Sequence, residues 1–149
     1  MNLGLSDHLK TAFPNVTPEV RPLVINKPIA DPQWLAGFAS AEGCFFIGIH
    51  KSSTIKVGVN VQLEFQVTQH KRDEFLIKSI IEYLNCGNAL QSKNVFRYRV
   101  SKFSDRLPLG DDPREGDLTD KIIPFFKKYP ILGIKLKDFM DFCTVVNEK

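Results

Sequence analysis

The chain has 149 residues, which is enough for one compact domain with its own hydrophobic core. Hydrophobic residues make up 43% and charged residues 25%, a balance that argues against wholesale disorder. The net charge of +3 is compatible with binding a polyanion but is not in itself a sign of one. Three scattered cysteines indicate reduced thiols rather than a zinc site. Neither a signal-peptide core nor an apolar run of about 20 residues is present, so we expect a soluble, non-secreted protein without a membrane partner.

The N-terminal residues 1–32 do not have the pattern of a core. A short helix from Ser6 to Phe13 is predicted, with Ser6 or Asp7 as its cap. Five prolines follow and favour an extended, tethered segment: Pro14, Pro18, Pro22, Pro28 and Pro32. A disordered tail is the simplest interpretation of this segment. We therefore place the folded domain at residues 33–149.

A helix is predicted from Trp34 to Glu42, and its small residues recur one turn apart. Residues four apart share a helix face, and small ones allow two helix backbones to approach closely. This face predicts a helix–helix interface, for which simple packing inside the domain is the alternative. The five residues of the predicted interface are Trp34, Ala36, Gly37, Ser40 and Ala41.

Glu42 lies at the C-terminal end of that predicted helix, where the helix dipole disfavours a negative charge. Gly43 follows, and we expect it to end the helix in a left-handed conformation. A carboxylate in this position needs a compensating cation. The sequence leaves two candidates, a divalent metal ion and a nearby Lys or Arg side chain.

The remaining segments predict an α+β fold. Two β-hairpins separated by a helix would form a four-stranded antiparallel sheet with helices packed on one face. The predicted elements are strands at 44–51 and 59–68, a helix at 71–84 ended by Asn85 and Gly87, strands at 88–92 and 95–102 joined by a tight turn, a surface loop at 105–116, a helix at 117–128 kinked by Pro124, and a final helix at 135–147. The apolar stripe of that final helix is expected to be Leu136, Phe139, Met140, Cys143 and Val146.

One face of the second strand is polar in an unusual way. Amide and hydroxyl groups outnumber charges, and such groups can donate to and accept from base edges in a DNA major groove. A solvated sheet face is the alternative. On the fourth strand, Arg97 and Arg99 share a face, from which they could contact phosphates or read guanine.

The segment Leu35–Gly43 resembles the signature of the LAGLIDADG homing endonucleases position for position, except that the family often has Asp in place of Ser40. The resemblance covers about residues 33–147 and implies the half-domain fold α-β-β-α-β-β-α-α. It also implies that the helix pairs with the same helix of a second repeat. Residues 1–32 would then be the linker of a two-repeat enzyme, and this chain its second half.

The resemblance also assigns chemistry to individual residues. Glu42, with Ala41 beside it, would bind the divalent metal, expected to be Mg²⁺; Ca²⁺ would bind without supporting cleavage. Gln69 would orient water and Lys135 would stabilise developing charge. On their own, Gln69 is an ordinary polar strand end and Lys135 an ordinary lysine in the first turn of a helix.

In the family, base contacts come from the outward face of the sheet. The residues that the resemblance places there are Cys44, Phe46, Gly48, His50, Ser52, Asn60, Gln62, Glu64, Gln66, Thr68, Asn88, Arg97, Arg99 and Ser101.

The implied function is that of a sequence-specific double-strand DNA endonuclease half-domain acting in intron homing, expected in mitochondria. Its partners would be duplex DNA and a second repeat, either a copy of itself or a different half. A non-cleaving nucleic-acid-binding module, such as an intron-splicing maturase or a DNA-binding regulator, is the alternative.

Overall fold

The computed structural model describes residues 5–17, 26–51, 53, 58–103 and 116–147. Its elements, in chain order, are α1 (Asp7–Ala12), α2 (Pro32–Glu42), β1 (Gly43–Lys51), β2 (Val59–His70), α3 (Glu74–Leu84), β3 (Asn88–Ser92), β4 (Val95–Phe103), α4 (Ile123–Lys128) and α5 (Lys135–Asn147). A 3₁₀ turn over Lys71–Asp73 precedes α3, and a π-helical turn over Leu118–Ile122 leads into α4. The predicted α+β fold and its order of elements are confirmed.

The four strands form one antiparallel sheet in the order β1-β2-β4-β3. Phe65 lies at the centre of β2, opposite Phe45 of β1 on one side and Val100 of β4 on the other. Successive side chains of a strand point to opposite faces, so this register fixes which residues share a face.

One face of the sheet is covered by helices and forms the core. The largest fully buried side chains include Tyr98 and Phe65 from the strands, with Phe126 of α4 and Phe142 of α5 packed over them. The ring of Phe45 packs against Phe65 and the α5 phenylalanines at centroid distances of 4.9 to 5.5 Å. Burying aromatic rings removes a large apolar area from water, so this layer dominates the stability of the fold.

The ends of α2 follow from local sequence. Asp31 caps the helix by accepting a 2.8 Å hydrogen bond from the Gln33 amide, and Pro32 occupies the first turn, where its missing N–H is no loss. The expectation of a left-handed Gly43 is wrong, because its φ is −72° and the backbone passes directly into β1. Glycine is required there for a different reason: a Cβ would lie 2.5 Å from the carbonyl oxygen of Ala39.

Two of the later helices differ in detail from their predictions. The segment predicted as one kinked helix at 117–128 begins as a π-helical turn and continues as α4. Pro124 lies in the first turn of α4, so it marks the change from π-helix to α-helix. The inward stripe of α5 uses Phe139, Phe142 and Val146, whereas Leu136 and Met140, which we expected to be buried, are exposed.

Several expectations fall outside the described residues or remain predictions. Ser52 and most of the 105–116 loop are not among the described residues, and neither is part of the 1–32 segment. The division into a linker and a half-domain stays a prediction. Within the part of the chain that the structure describes, no helix is long and apolar enough to cross a membrane.

Candidate nucleic-acid interface and metal site

The C-terminal end of α2 brings together three residues that lie far apart in the sequence. The Gln69 side-chain amide, near the end of β2, donates a 3.3 Å hydrogen bond to Oε2 of Glu42. The ammonium group of Lys135, the first residue of α5, donates to the main-chain carbonyl of Ala41. A carboxylate, an amide and an ammonium group therefore meet at one exposed helix end, where the lysine binds the main-chain carbonyl of the residue before Glu42.

Ser40 fixes the loop that carries Lys135. Its hydroxyl donates a 2.8 Å hydrogen bond to the Ala36 carbonyl and accepts a 2.9 Å hydrogen bond from the Leu132 amide. The loop then turns through Gly133, whose φ of +74° favours glycine, and enters α5 at Lys135. Ser40 was predicted only as an interface residue, and its observed contacts tie the loop to the end of α2.

Among the described residues, no group of three or more His, Cys, Asp or Glu side chains is arranged to hold a metal ion. The chain contributes one carboxylate, Glu42, with the carbonyl oxygen of Ala41 next to it in sequence. Both are hard oxygen donors of the kind that Mg²⁺ and Ca²⁺ prefer. The Glu42 carboxylate suits a divalent cation, but the Ala41 carbonyl accepts a hydrogen bond from Lys135, so the chain offers only part of a coordination sphere.

The predicted interface residues on α2 differ in their exposure to solvent. Trp34 is 48% exposed and stacks on Phe38, and Gly37 and Ala41 are also exposed on this side of the helix. Nothing in the chain lies within 4 Å of a Cβ built on Gly37. Ala36, by contrast, is 1% exposed and has almost no surface left for a partner. The open part of the predicted interface is therefore Trp34, Gly37 and Ala41.

The register places the predicted base-contacting residues on the face of the sheet opposite the core. Across the sheet, the aligned rows are Cys44, Gln66, Arg99 and Asn88; Phe46, Glu64 and Ser101; Gly48 and Gln62; His50 and Asn60; Thr68 and Arg97. This surface, made of these residues and called the open face below, is a continuous polar strip across all four strands. Whether its residues contact DNA stays a prediction.

Burial varies strongly across the open face. Cys44, His50, Asn88 and Arg97 are exposed, whereas Glu64 is only 6% exposed. The buried side-chain oxygen Oε1 of Gln66, opposite Arg99, has no hydrogen-bond partner among the described residues.

Gly48 is buried because the rings of Phe46 and His50 flank it. A Cβ on this glycine would lie 2.8 Å from the Phe46 ring and 3.0 Å from the imidazole. The glycine therefore permits the two rings to close over β1 and gives this end of the face a partly aromatic surface.

Leu90 lies on the same side of the sheet as the open face, and the sequence analysis missed it. It lies opposite Arg97 on β3 and is exposed. Its strand is short and has no clear alternation, so only the register of β3 against β4 could reveal its position.

Tyr98 and Cys86 belong to the core rather than to the site. The phenol oxygen and the thiol sulfur lie 3.4 Å apart in the covered layer. Burial raises the pKa of both groups above their ordinary values, so both remain neutral near pH 7 and Cys86 is not an activated nucleophile.

The half-domain fold and the α2 motif agree with what is found when the chain is compared with known proteins. A family model described as LAGLIDADG endonuclease matches residues 35–109, about half of the chain. The chain belongs to the LAGLIDADG endonuclease family.

Individual relatives share nearly the whole chain. It is 39% identical over 146 residues to "Probable intron-encoded endonuclease 3" of Neurospora crassa, covering 97% of this chain and 25% of that protein. Among solved structures, I-SmaMI bound to an uncleaved DNA target in the presence of calcium ions is 42% identical, with a TM-score of 0.75. The I-LtrWI LAGLIDADG homing endonuclease bound to target DNA is 39% identical, with a TM-score of 0.74.

These matches cover 97% of this chain but only 46% of the I-SmaMI chain and 45% of the I-LtrWI chain. The chain therefore spans about a quarter of the curated relative and just under half of each solved structure.

Proposed function

We propose that this chain is one half of a sequence-specific, divalent-metal-dependent endonuclease that cleaves both strands of a DNA duplex. The observation that carries this proposal is the meeting of Glu42, Gln69 and Lys135 at the exposed end of α2. These residues come from three separate elements, and they are the three to which the family resemblance assigns catalytic roles.

The open face supports the DNA-binding part of the proposal. It carries amides, hydroxyls and arginines on a twisted sheet, a combination suited to reading base edges in the major groove. β1 begins where α2 ends, so the open face and the Glu42 cluster share one end of the sheet. DNA lying along the face would therefore bring its backbone close to the carboxylate.

Glu42 and the carbonyl of Ala41 are the groups that would hold the metal, with Mg²⁺ as the ion that supports cleavage. When bound, such an ion would supply Lewis-acid stabilisation of phosphoryl charge and activation of water. Gln69 orients the carboxylate by donating to it, and its amide is placed to orient water as well. Lys135 brings a positive charge that would stabilise charge developing on the phosphate.

We infer a second half on three grounds. Glu42 is a single carboxylate, and a partner's carboxylate on the opposite side of the helix pair would add a second ligand to the ion. The exposed Trp34, Gly37 and Ala41 leave a face of α2 open for a second helix. The related solved chains are about twice as long as the part that this chain matches. Because the related proteins are named as intron-encoded, we also expect a role in intron homing. The family resemblance is the basis for expecting a mitochondrial location.

The test is cleavage of a pool of randomised duplexes by the chain alone and by a tandem fusion of two copies. In Mg²⁺ we expect the fusion to cut a subset of the pool and the chain alone to cut far less. In Ca²⁺ we expect binding without cleavage, and with a chelator no cleavage. Cleavage that persists in chelator would contradict the metal-dependent mechanism. Binding without cleavage in Mg²⁺ by both proteins, and also by the chain fused to a different half from a cleaving relative, would indicate a non-cleaving module, such as a maturase or a DNA-binding regulator.

A further inference from the structure

Glu64 is a buried carboxylate in the middle of the open face. It lies on β2, opposite Phe46 of β1 and Ser101 of β4, and it is 6% exposed. Burying a carboxylate is costly unless other groups compensate its charge. A residue with so little exposed surface has little to offer a base directly, although its position suggested that role from the sequence.

The carboxylate is compensated by two neighbours on the same face. The Gln62 side-chain amide donates a 3.0 Å hydrogen bond to Oε2 of Glu64, and Nε of Arg99 lies 3.6 Å from the same oxygen. The other end of the Gln62 amide, Oε1, lies 3.3 Å from Nε2 of His50. One carboxylate oxygen therefore contacts side chains from β2 and β4 directly, and Gln62 extends the contact to His50 of β1.

The neighbouring arginine on β4 provides an internal contrast. Arg97 is exposed and its Nε donates a 3.3 Å hydrogen bond to the Thr68 hydroxyl, a neutral group. Arg99 is half-buried, and its charge is balanced by Glu64. An arginine whose charge is compensated by a neighbouring carboxylate attracts phosphates less, because non-specific affinity follows the net positive charge presented to the DNA backbone. A side chain already held in one conformation also loses less entropy when it binds.

We propose that Glu64 is a positioning residue for sequence readout: it touches no base, but holds Arg99 and Gln62 in fixed orientations and withdraws Arg99 from non-specific phosphate contact. The inference rests on the proposed DNA-binding function of the open face. It gives Glu64 and Arg97 opposite effects on binding, since Arg97 strengthens attraction to all duplexes and Glu64 restrains it.

The test uses the tandem fusion of two copies in Ca²⁺, with two probes. A randomised duplex pool, sequenced after selection, measures base preference at each position. A single duplex of unselected sequence, titrated with salt, measures non-specific binding. For Glu64→Gln we expect tighter binding of the unselected duplex and a slope of log affinity against log salt that is steeper by about one. At the positions facing Arg99 and Gln62, we expect preference for the favoured base to fall about 5- to 100-fold.

Asp117→Asn is the matched control. Asp117 is 5% exposed and pairs with Lys121 at 2.8 Å, but it lies in the helical layer rather than on the open face. The same loss of a buried, paired carboxylate should leave base preference and salt slope unchanged. In an Arg99→Ala background, Glu64→Gln should have no further effect on preference at the position that Arg99 reads.

The outcomes separate this inference from the proposed function. If the unsubstituted fusion selects no sequence and binds no duplex, the proposed DNA-binding function itself fails. If the fusion selects a sequence and Glu64→Gln retains full preference, or weakens all duplexes equally, the positioning role is overturned. If Glu64→Gln does not fold, Glu64→Asp replaces it. Glu64→Asp keeps the charge but shortens the side chain, so the carboxylate lies farther from Arg99 and Gln62. Base preference should then fall while the slope of log affinity against log salt stays unchanged. Unchanged base preference would refute the positioning role.

Discussion

The two faces of the sheet are built from the same strands and have opposite properties. On β2, Leu63, Phe65 and Val67 point into the helical layer, while Gln62 and Thr68 point to the open face. Since side chains alternate along a strand, each second residue is available for a task that stability does not constrain. Folding and the proposed recognition are thus carried by alternate residues of a single strand.

The open face is nevertheless not a uniformly free surface. Glu64 is buried within it, and Gly48 is enclosed by the rings of Phe46 and His50. The face therefore contains residues that contact solvent and residues that set the positions of their neighbours. This division makes the comparison testable, because a substitution should change either stability or recognition according to the face that it alters.

The largest expected effect is on the covered face. Phe65→Ala should lower the free energy of unfolding by about 3–5 kcal/mol, because a fully buried ring is replaced by a cavity. Phe46→Ala is the matched control on the open face, where the ring is 43% exposed, and it should cost far less. Chemical denaturation of both variants measures the difference. Similar losses for the two phenylalanines would break the contrast between the faces.

A smaller effect is expected at α2. Gly37→Leu adds a side chain where the chain itself has open space, so the fold of the single chain should be retained. Pairing with a second helix should weaken by about 1–3 kcal/mol or more, because the added side chain overfills a close contact. Sedimentation analysis of the chain, alone and mixed with a second half, measures this. Unchanged association would show that this helix face is not the interface.

Gly43→Ala provides the opposite case at the junction of α2 and β1. Its Cβ would meet the Ala39 carbonyl, so the variant should destabilise the chain itself before any partner is added.

The smallest effect is expected for Arg97→Ala. Its guanidinium is exposed, so stability should change by no more than about 0.5 kcal/mol. If Arg97 contacts a phosphate, affinity should fall by a similar factor for every duplex and the salt slope should decrease by about one. Filter binding at several salt concentrations distinguishes this from base readout, in which loss would depend on sequence. Affinity equal to the unsubstituted protein at low salt would remove Arg97 from the interface.

Much of the fold could be predicted because local signals agreed with the tertiary structure. The alternation in β2 predicted a strand with one buried face. Asn85 ends α3 with a φ of 50°, as its position after the last apolar residue suggested. The tight turn between β3 and β4 was also predicted, and Lys93 has a φ of 49° within it.

The error on α5 arose because apolar residues lie on more than one side of that helix. The predicted stripe included Leu136 and Met140 and left out Phe142, which is buried together with Phe139 and Val146. Only packing against the aromatic layer decides that Phe142 is buried and Met140 exposed.

Part of the candidate site could also be predicted, because its residues lie at positions that the sequence motif and the family pattern identify. The motif identified Glu42, and the family pattern identified Gln69 and Lys135, which the structure brings to one end of α2. The contact of Ser40 with Leu132 joins residues 92 positions apart, so no local pattern encodes it. The pairing of Glu64 with Arg99 likewise depends on the register of β2 against β4, which single-strand periodicity does not determine.

The central claim is that Glu42 is needed for cleavage and is not needed for folding or for holding DNA. Glu42→Gln keeps the size of the side chain but removes the charge that would bind a divalent cation. The decisive measurement compares DNA affinity in Ca²⁺ with cleavage rate in Mg²⁺ for the tandem fusion, using Glu82→Gln, an exposed glutamate on α3, as control. We expect Glu42→Gln to bind its selected duplex within a few-fold of the unsubstituted fusion and to lose cleavage by orders of magnitude. Cleavage retained in full would contradict the account, and affinity lost together with the fold would show that Glu42 is structural.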